Sequence, residues 1–187
     1  MQTQEILDFI KSRRSMGNLT LPAPSREQIE QAIEVAMSAP DHKQLQPLCF
    51  VVLQGQALTA LGEALKIASI AQGETDEKTL AKALAMPHRS PMIITCITRY
   101  REHDKVPKWE QLASVSASVQ NMLLALQAQG FATVWRTGNL IGEPTIKAHF
   151  GVSDDNQSVG FVYVGTAGSQ MPKRPAILVD DFIEYRA

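Results

Sequence analysis

The run Leu48-Cys49-Phe50-Val51-Val52-Leu53 constrains this chain more than any other stretch. It is apolar throughout, of strand length, and lacks the polar alternation of a half-solvated strand. Such a run suits a central strand covered on both faces, which demands layers above and below a sheet. Met92-Ile93-Ile94-Thr95-Cys96-Ile97-Thr98 is a second strand of the same kind, and Val159-Gly160-Phe161-Val162-Tyr163-Val164 is another. Phe131-Ala132-Thr133-Val134-Trp135-Arg136 is shorter and is closed by Thr137-Gly138. Ile177-Leu178-Val179 would add a last short strand.

Helices fill the intervals. Thr3 to Ser12 carries Ile6, Leu7 and Ile10 on one stripe. Lys11, Arg13 and Arg14 crowd its C-terminal end, where the helix dipole favours cations. Ser15 to Leu21 reads as a loop. Ser25 and Gln28 form a capping box that starts a second helix. Its buried face is Ile29, Ala32, Ile33, Ala36 and Met37, and Pro40 ends it. Ala57 to Ala71 is a third helix, anchored by Leu58, Leu61, Leu65 and Ile70 and stopped by Gly73. Asp76 to Met86 is a fourth. Trp109 to Gln129 is the longest: Leu112, Val115, Val119, Met122, Leu123 and Leu126 form one stripe, and alanines and serines fill the other faces. A helix that is apolar or small nearly all round is buried, within the domain or against a second subunit. Glu143 to Phe150 is a short last helix with Pro144 in its first turn. Strands alternating with helices suggest a parallel α/β sheet, and equally admit an α+β sheet of mixed directions.

Composition narrows the function classes. A chain of 187 residues fits a single domain, 1–187, with a sizeable core. Hydrophobic residues at 44% argue against disorder. A net charge of -1 argues against a nucleic-acid binder. No run of about 18 apolar residues occurs, so no membrane span is expected. The first residues carry no basic stretch followed by an apolar one, so no secretory signal is expected. Cys49 and Cys96 lie within strand-like runs and read as buried thiols, which suits a reducing, cytoplasmic setting.

Strong catalytic motifs are missing. There is no G-x-G-x-x-G after a strand, no P-loop, no C-x-x-C, no H-E-x-x-H and no G-x-S-x-G. His42, His88, His103 and His149 are too scattered for a metal set. Four polar segments remain. Ala39-Pro40-Asp41-His42-Lys43-Gln44-Leu45-Gln46-Pro47 is bracketed by prolines, so it is neither helix nor central strand. It suits either ligand contact or a plain surface connection. Arg13-Arg14-Ser15 suits a phosphate grip or a solvated helix end. Trp135-Arg136-Thr137-Gly138 lies at a strand end, either as a ligand wall or as a core Trp beside a surface Arg. Lys173-Arg174 sits in a proline-flanked tail.

In their order and spacing these segments resemble the nitroreductase superfamily of FMN flavoproteins, in its small single-domain NAD(P)H nitroreductase branch. The likeness runs through Ile10 to Ser15, Met37 to Pro47, Lys105 to Gln111, Gln129 to Phe131, Val134 to Gly138 and Gly160 to Thr166. It implies an α+β, three-layer fold with a central mixed sheet of four to five strands flanked by helices. It implies a homodimer with FMN at the subunit interface. Arg13, Arg14 and Ser15 match the segment that holds the flavin phosphate and ribityl chain. Ser38, His42 and Gln46 match a loop that meets the flavin, commonly from the other subunit. Trp135, Arg136 and Thr137 match the segment lining the isoalloxazine, and Lys173 or Arg174 stands where another phosphate-binding cation is placed. Ala125, Leu126, Gln127, Ala128, Gln129 and Gly130 match a nicotinamide-cofactor contact.

The implied activity is electron transfer from NADH or NADPH, through flavin N5, to a nitroaromatic or quinone-like acceptor. The flavin carries that chemistry, so no Asp, Glu or His is expected as an indispensable general acid. The alternative is an FMN-binding storage or sensor protein without a reductase role. Two departures bear on it: Leu48 stands where many members have Trp, and Gly17 and Asn18 stand where larger relatives often carry Lys or Arg near the flavin. Arg136 is then the candidate positive charge, with Lys43 behind it.

Overall fold

The computed structural model describes residues 2–186. Five strands form one sheet: β1 (Leu19–Thr20), β2 (Leu48–Gln54), β3 (Met92–Thr98), β4 (Ala132–Arg136) and β5 (Ser158–Ala167). Six helices accompany them: α1 (Thr3–Ser12), α2 (Arg26–Ala36), α3 (Gln56–Ala71), α4 (Glu77–Ala85), α5 (Lys108–Ala128) and α6 (Pro144–His149). The class is α+β, as the resemblance implied.

Strand directions follow from the connections. β2 returns to β3 through two helices, α3 and α4, and the strands pair antiparallel from Leu48↔Thr98 to Gln54↔Met92. β3 passes to β4 through one long helix, α5, and β5 lies between them, antiparallel to both, through Ile93↔Tyr163 and Val134↔Tyr163. β1 pairs with the far end of β5 through Thr20↔Thr166. Every pairing between these strands is antiparallel, so the sheet has the number of strands implied but not the mixed directions. The parallel pairing among the described residues is the isolated bridge Ser15↔Thr133.

Alternation along the strands sorts side chains into two cores. Phe161, Tyr163, Ile93 and Leu53 face a layer built from α3, α4 and α6, with Leu58, Leu61, Leu65, Ala83 and Ile146. Val162, Val164, Ile94 and Cys96 face α2 and α5, with Ile29, Ala32, Val115, Val119 and Met122. The Ser25 capping box at the start of α2 is present, Ser25 Oγ accepting from Gln28 N and Gln28 Oε1 accepting from Ser25 N.

Four expectations need correction. β2 is an edge strand of this sheet, and Val52 is 40% exposed. Its apolar run reflects cover on both faces, Leu53 in the α3–α4–α6 core and Leu48 and Phe50 against the α2–α5 core, which is not evidence of strands on both edges. Ile177-Leu178-Val179 forms no strand: these residues are exposed, and Val179 begins a 3-10 turn, Val179–Phe182. Ile70 points outward from α3 and Met37 from the end of α2. The loop from Ser15 to Leu21 contains β1, too short to show a period in sequence.

The α3–α4 contact is close because Gly62 on α3 meets the α4 backbone. A Cβ at Gly62 would overlap the Leu84 carbonyl oxygen. Gly62→Ala therefore forces the two helices apart, and the expected loss is about 1–3 kcal/mol. Urea unfolding followed by circular dichroism reads this directly, and an unchanged midpoint would contradict the contact.

Candidate functional site

The segment after α1 is the first positioning element. It leaves the helix at Arg13 and runs beside β4, where Met16 N donates to Thr133 O at 2.9 Å and Ser15 bridges to Thr133. That pairing fixes Arg13, Arg14 and Ser15 at one end of β4 and Gly17 at the other. A Cβ on Gly17 would lie 3.5 Å from Arg136 Nη2. Two segments distant in sequence are thus neighbours because of one short backbone ladder.

Arg13, Arg14 and Arg174 converge at the first end. The Arg13 guanidinium is pushed down from its ordinary value, first by burial and then by repulsion from Arg174 and Arg14. A cation partly withdrawn from water beside two like charges calls for an anion. Arg14 has a second task. Its Nη1 donates to Lys11 O at 2.7 Å and to Arg13 O at 2.9 Å, and its Nε donates to Pro172 O at 3.2 Å. It therefore pins the C-terminal tail against the end of α1 and brings Arg174 to the cluster. Lys173 lies in the same exposed tail, and Ser15 is exposed beside the cluster.

The other end of this ladder opens into a cleft of about 940 Å³ between β4–β5 and the α3–α4 hairpin. Its walls include Leu65, Gln72, Glu74, Arg136, Phe161 and Tyr163. Gln72 Nε2 donates to Glu143 Oε1 at 2.7 Å, and Glu74 Oε1 accepts from the Thr75 and Asp76 amides at 2.8 Å each, so the far wall is held by its own bonds. Arg136 and Thr137 line the cleft. Trp135 borders it, but its indole packs with the α2–α5 core and donates to Val159 O at 3.0 Å. Gly160 permits this: its φ is +127°, and a Cβ there would sit 2.5 Å from the Trp135 indole nitrogen.

The Ala39 to Pro47 loop lies elsewhere. Ser114 Oγ of α5 donates to Pro40 O at 2.7 Å, and His42 Nδ1 lies 2.7 Å from Glu110 Oε1, so the loop rests on the α5 side of the sheet. Ser38 is joined to α5 by Asn121 Nδ2 at 3.3 Å, and Gln46 N donates to Asp41 Oδ2 at 2.7 Å. The loop contains a 3-10 turn, His42–Gln44, where no helical turn was expected. Lys43, Gln44 and Gln46 adopt positive φ of 64°, 52° and 47°. Strained non-glycine residues of this kind cluster at binding loops. Ser38, His42 and Gln46 are exposed but do not join the cleft of their own chain.

The turn from Ala125 to Gly130 is largely occupied. Leu126 is buried, Gln127 Nε2 donates to Phe9 O and Ser12 Oγ, and Gln129 Nε2 donates to Gln28 O. These side chains tie α1 and α2 to the end of α5. Residues missing from the sequence reading are Tyr163, Phe161 and the α3–α4 wall. Period-two alternation in β5 puts Phe161, Tyr163 and, across the strand pair, Arg136 on one face, and that signal was available.

A family model described as "Nitroreductase family" matches residues 10–166. The chain is 38% identical over 184 residues to "Putative NAD(P)H nitroreductase YdjA" of Escherichia coli (strain K12), which covers 97% of this chain and 99% of that one. Among solved structures it is similar to a nitroreductase-like family protein from Bacillus cereus, with a TM-score of 0.85 at 22% identity over 100% of this chain and 98% of that one. It is also similar to the FMN and NADPH-dependent nitroreductase NfnB from Sphigopyxis sp. strain HMH, with a TM-score of 0.72 at 18% identity over 100% of both chains.

The arginine cluster predicts anion binding without any further ligand. Inorganic phosphate is expected to raise the melting temperature of the protein above that in chloride at equal ionic strength, and to raise it much less in Arg13→Ala/Arg174→Ala. Equal shifts in both proteins would place the phosphate elsewhere.

Proposed function

Because the chain belongs to the nitroreductase family, we propose that it is an FMN-dependent oxidoreductase. It takes electrons from NADH or NADPH and delivers them to a nitroaromatic or quinone-like acceptor. The observation that carries this reading is the arginine cluster set beside an open cleft by the Met16–Thr133 pairing. An extended chain rises ~3.3 Å per residue, so the cluster at Arg13 lies roughly 13 Å along the ladder from Gly17 at the Arg136 end. That arrangement fits a ligand with an anionic phosphate at one end and a flat ring system at the other.

FMN, when bound, would supply the redox chemistry that links the nicotinamide donor to the acceptor. The chain's own residues bind, orient and charge-balance. Arg13 and Arg174 hold the phosphate with charge-assisted hydrogen bonds, and the Ser15 hydroxyl and Lys173 assist. Arg14 keeps the tail in place so that Arg174 reaches the cluster. Arg136, beside Gly17, supplies positive charge at the ring end, and Thr137 adds a hydroxyl to the same wall. The α3–α4 wall borders the cleft on the opposite side.

The homodimer belongs to this reading. Ile6, Leu7 and Ile10 on α1 are 42%, 44% and 45% exposed, and Leu178 and Phe182 of the tail are 71% and 79% exposed. An amphipathic helix with its apolar stripe in water is incomplete as a monomer. In a dimer the strained loop bearing Ser38, His42 and Gln46 would serve the partner's flavin, which explains why it lies away from its own cleft. The Ala125 to Gly130 turn, with its polar side chains engaged, contributes at most backbone contact to the nicotinamide donor.

Arg13→Ala and Arg174→Ala are each expected to weaken FMN binding by at least ~1.5 kcal/mol, the lower end for a charge-assisted contact. Fluorescence titration of apo-protein with FMN measures this. Anaerobic NADH or NADPH is expected to bleach the visible flavin band within the mixing time of a turnover experiment. A band that persists with both donors would favour a flavin-binding protein without a reductase role.

A further inference from the structure

Arg136 stands apart from the other arginines of the site. Among the described residues, no hydrogen bond or ion pair joins its side chain to a protein group. A long cationic side chain at an exposed strand end carries ~2 kcal/mol of rotamer entropy. Left alone it would spread into water, yet its guanidinium lies over the inner face of the cleft. Arg136 and Phe161 are directly paired across β4 and β5, so Tyr163 is the diagonal neighbour on the same face. Arg136 Cζ lies 5.6 Å from the centroid of the Tyr163 ring. This is within the range in which a cation is held by the negative face of an aromatic ring. Gly17 borders the guanidinium from the side, where a Cβ would make ordinary van der Waals contact with Nη2 at 3.5 Å.

Tyr163 itself is fixed. It is 1% exposed and packs among Leu65, Ile93 and Met86. Its hydroxyl has no hydrogen-bond partner. Burial raises the phenol above its ordinary value even though Arg136 and Arg89 pull it down. The ring therefore stays neutral beneath the cation.

We infer that Tyr163 is a positioning residue whose ring holds the Arg136 guanidinium beside Gly17, aimed into the cleft. The inference rests on the role given to Arg136 above. The hydroxyl is a bystander and the ring is the working part. The arrangement supplies, through an arginine reaching back from β4, a cation that the segment after α1 does not itself carry at Gly17 or Asn18.

The test uses FMN-loaded protein and reads the midpoint potential of the bound flavin by anaerobic spectroelectrochemistry. Arg136→Met is expected to reduce the preference for reduced over oxidised flavin about a hundredfold, which for a two-electron couple is a fall of about 60 mV. Tyr163→Leu is expected to lower it in the same direction by about tenfold, or about 30 mV. Tyr163→Phe, which keeps the ring, is expected to leave it unchanged. In the Arg136→Met background, Tyr163→Leu is expected to add nothing, because the ring acts only through the arginine. Should the leucine variant fail to fold, Tyr163→Met removes the ring with an unbranched side chain that adapts to irregular core space.

A potential unmoved by loss of the ring, beside a clear shift in Arg136→Met, overturns the inference and leaves Arg136 its role. An equal shift in Tyr163→Phe and Tyr163→Leu also overturns it, by giving the work to the hydroxyl. No shift in Arg136→Met overturns both.

Discussion

Strand β5 is held on both edges over the same residues, and the rest of the molecule takes its arrangement from that double pairing. Ile93 and Val134 both face Tyr163, and Ile94 and Trp135 both face Val162. A strand paired on two sides has no freedom of register, since a one-residue slip would exchange its two faces. Phe161 and Tyr163 are thereby committed to the α3–α4–α6 side, and Val162 and Val164 to the α2–α5 side. Both cores are built on the same four residues, Phe161 to Val164. Glycine appears in β5 where neighbours come closest: Cβ atoms would lie 2.5 Å from the Trp135 indole nitrogen at Gly160 and 2.8 Å from Thr20 O at Gly165. The local weakening that glycine brings to a strand is offset by backbone approach on either side.

The candidate site is a consequence of that sheet. β4 offers Thr133 to the segment after α1, and the ladder delivers arginines to one end and Gly17 to the other. Alternation in β4 then sends Trp135 into the α2–α5 core and Arg136 into the cleft. Neighbours in sequence serve opposite faces, and residues more than a hundred positions apart share one. This is the sheet's period of two acting on function as it acts on packing.

How far the sequence could be read follows from the same physics. The helices were legible because their signals are local: the Ser25 capping box, Gly73 after α3 and Pro144 at the start of α6 each act within a turn or two. The apolar runs were legible as strands, since β2, β3 and β5 all coincide with them. Their neighbours were not. An apolar run reports cover above and below, and says nothing about which edge is paired, so β2 read as central although it is an edge. Ile177-Leu178-Val179 has the composition of a strand, but a strand exists only where an edge is offered to it. Tyr163 looked like ordinary core because its chemistry lies in the residue above it. Arg136 comes within reach only through antiparallel pairing of segments 27 positions apart, shown by the contact over the ring. The resemblance singled out Arg13, Arg14 and Ser15, while the division of labour among them depended on where the tail at Pro172 runs.

The arginine cluster also ties the site to stability. The groups that act on Arg13 are burial, Arg174 and Arg14, and all three disfavour its charge. Arginine cannot shed its proton at accessible pH, so the repulsion is carried by the folded chain as a standing penalty. Unfolding separates the three guanidinium groups and relieves it. An anion that bridges them binds the folded chain and has no comparable site on the unfolded one, so it stabilises by RT ln(1 + [L]/Kd). A cluster that weakens the empty fold is thus the feature through which the proposed phosphate-bearing ligand would stabilise it. An occupied state would offset that penalty, and this is the physical argument behind the proposal that these arginines form a binding site.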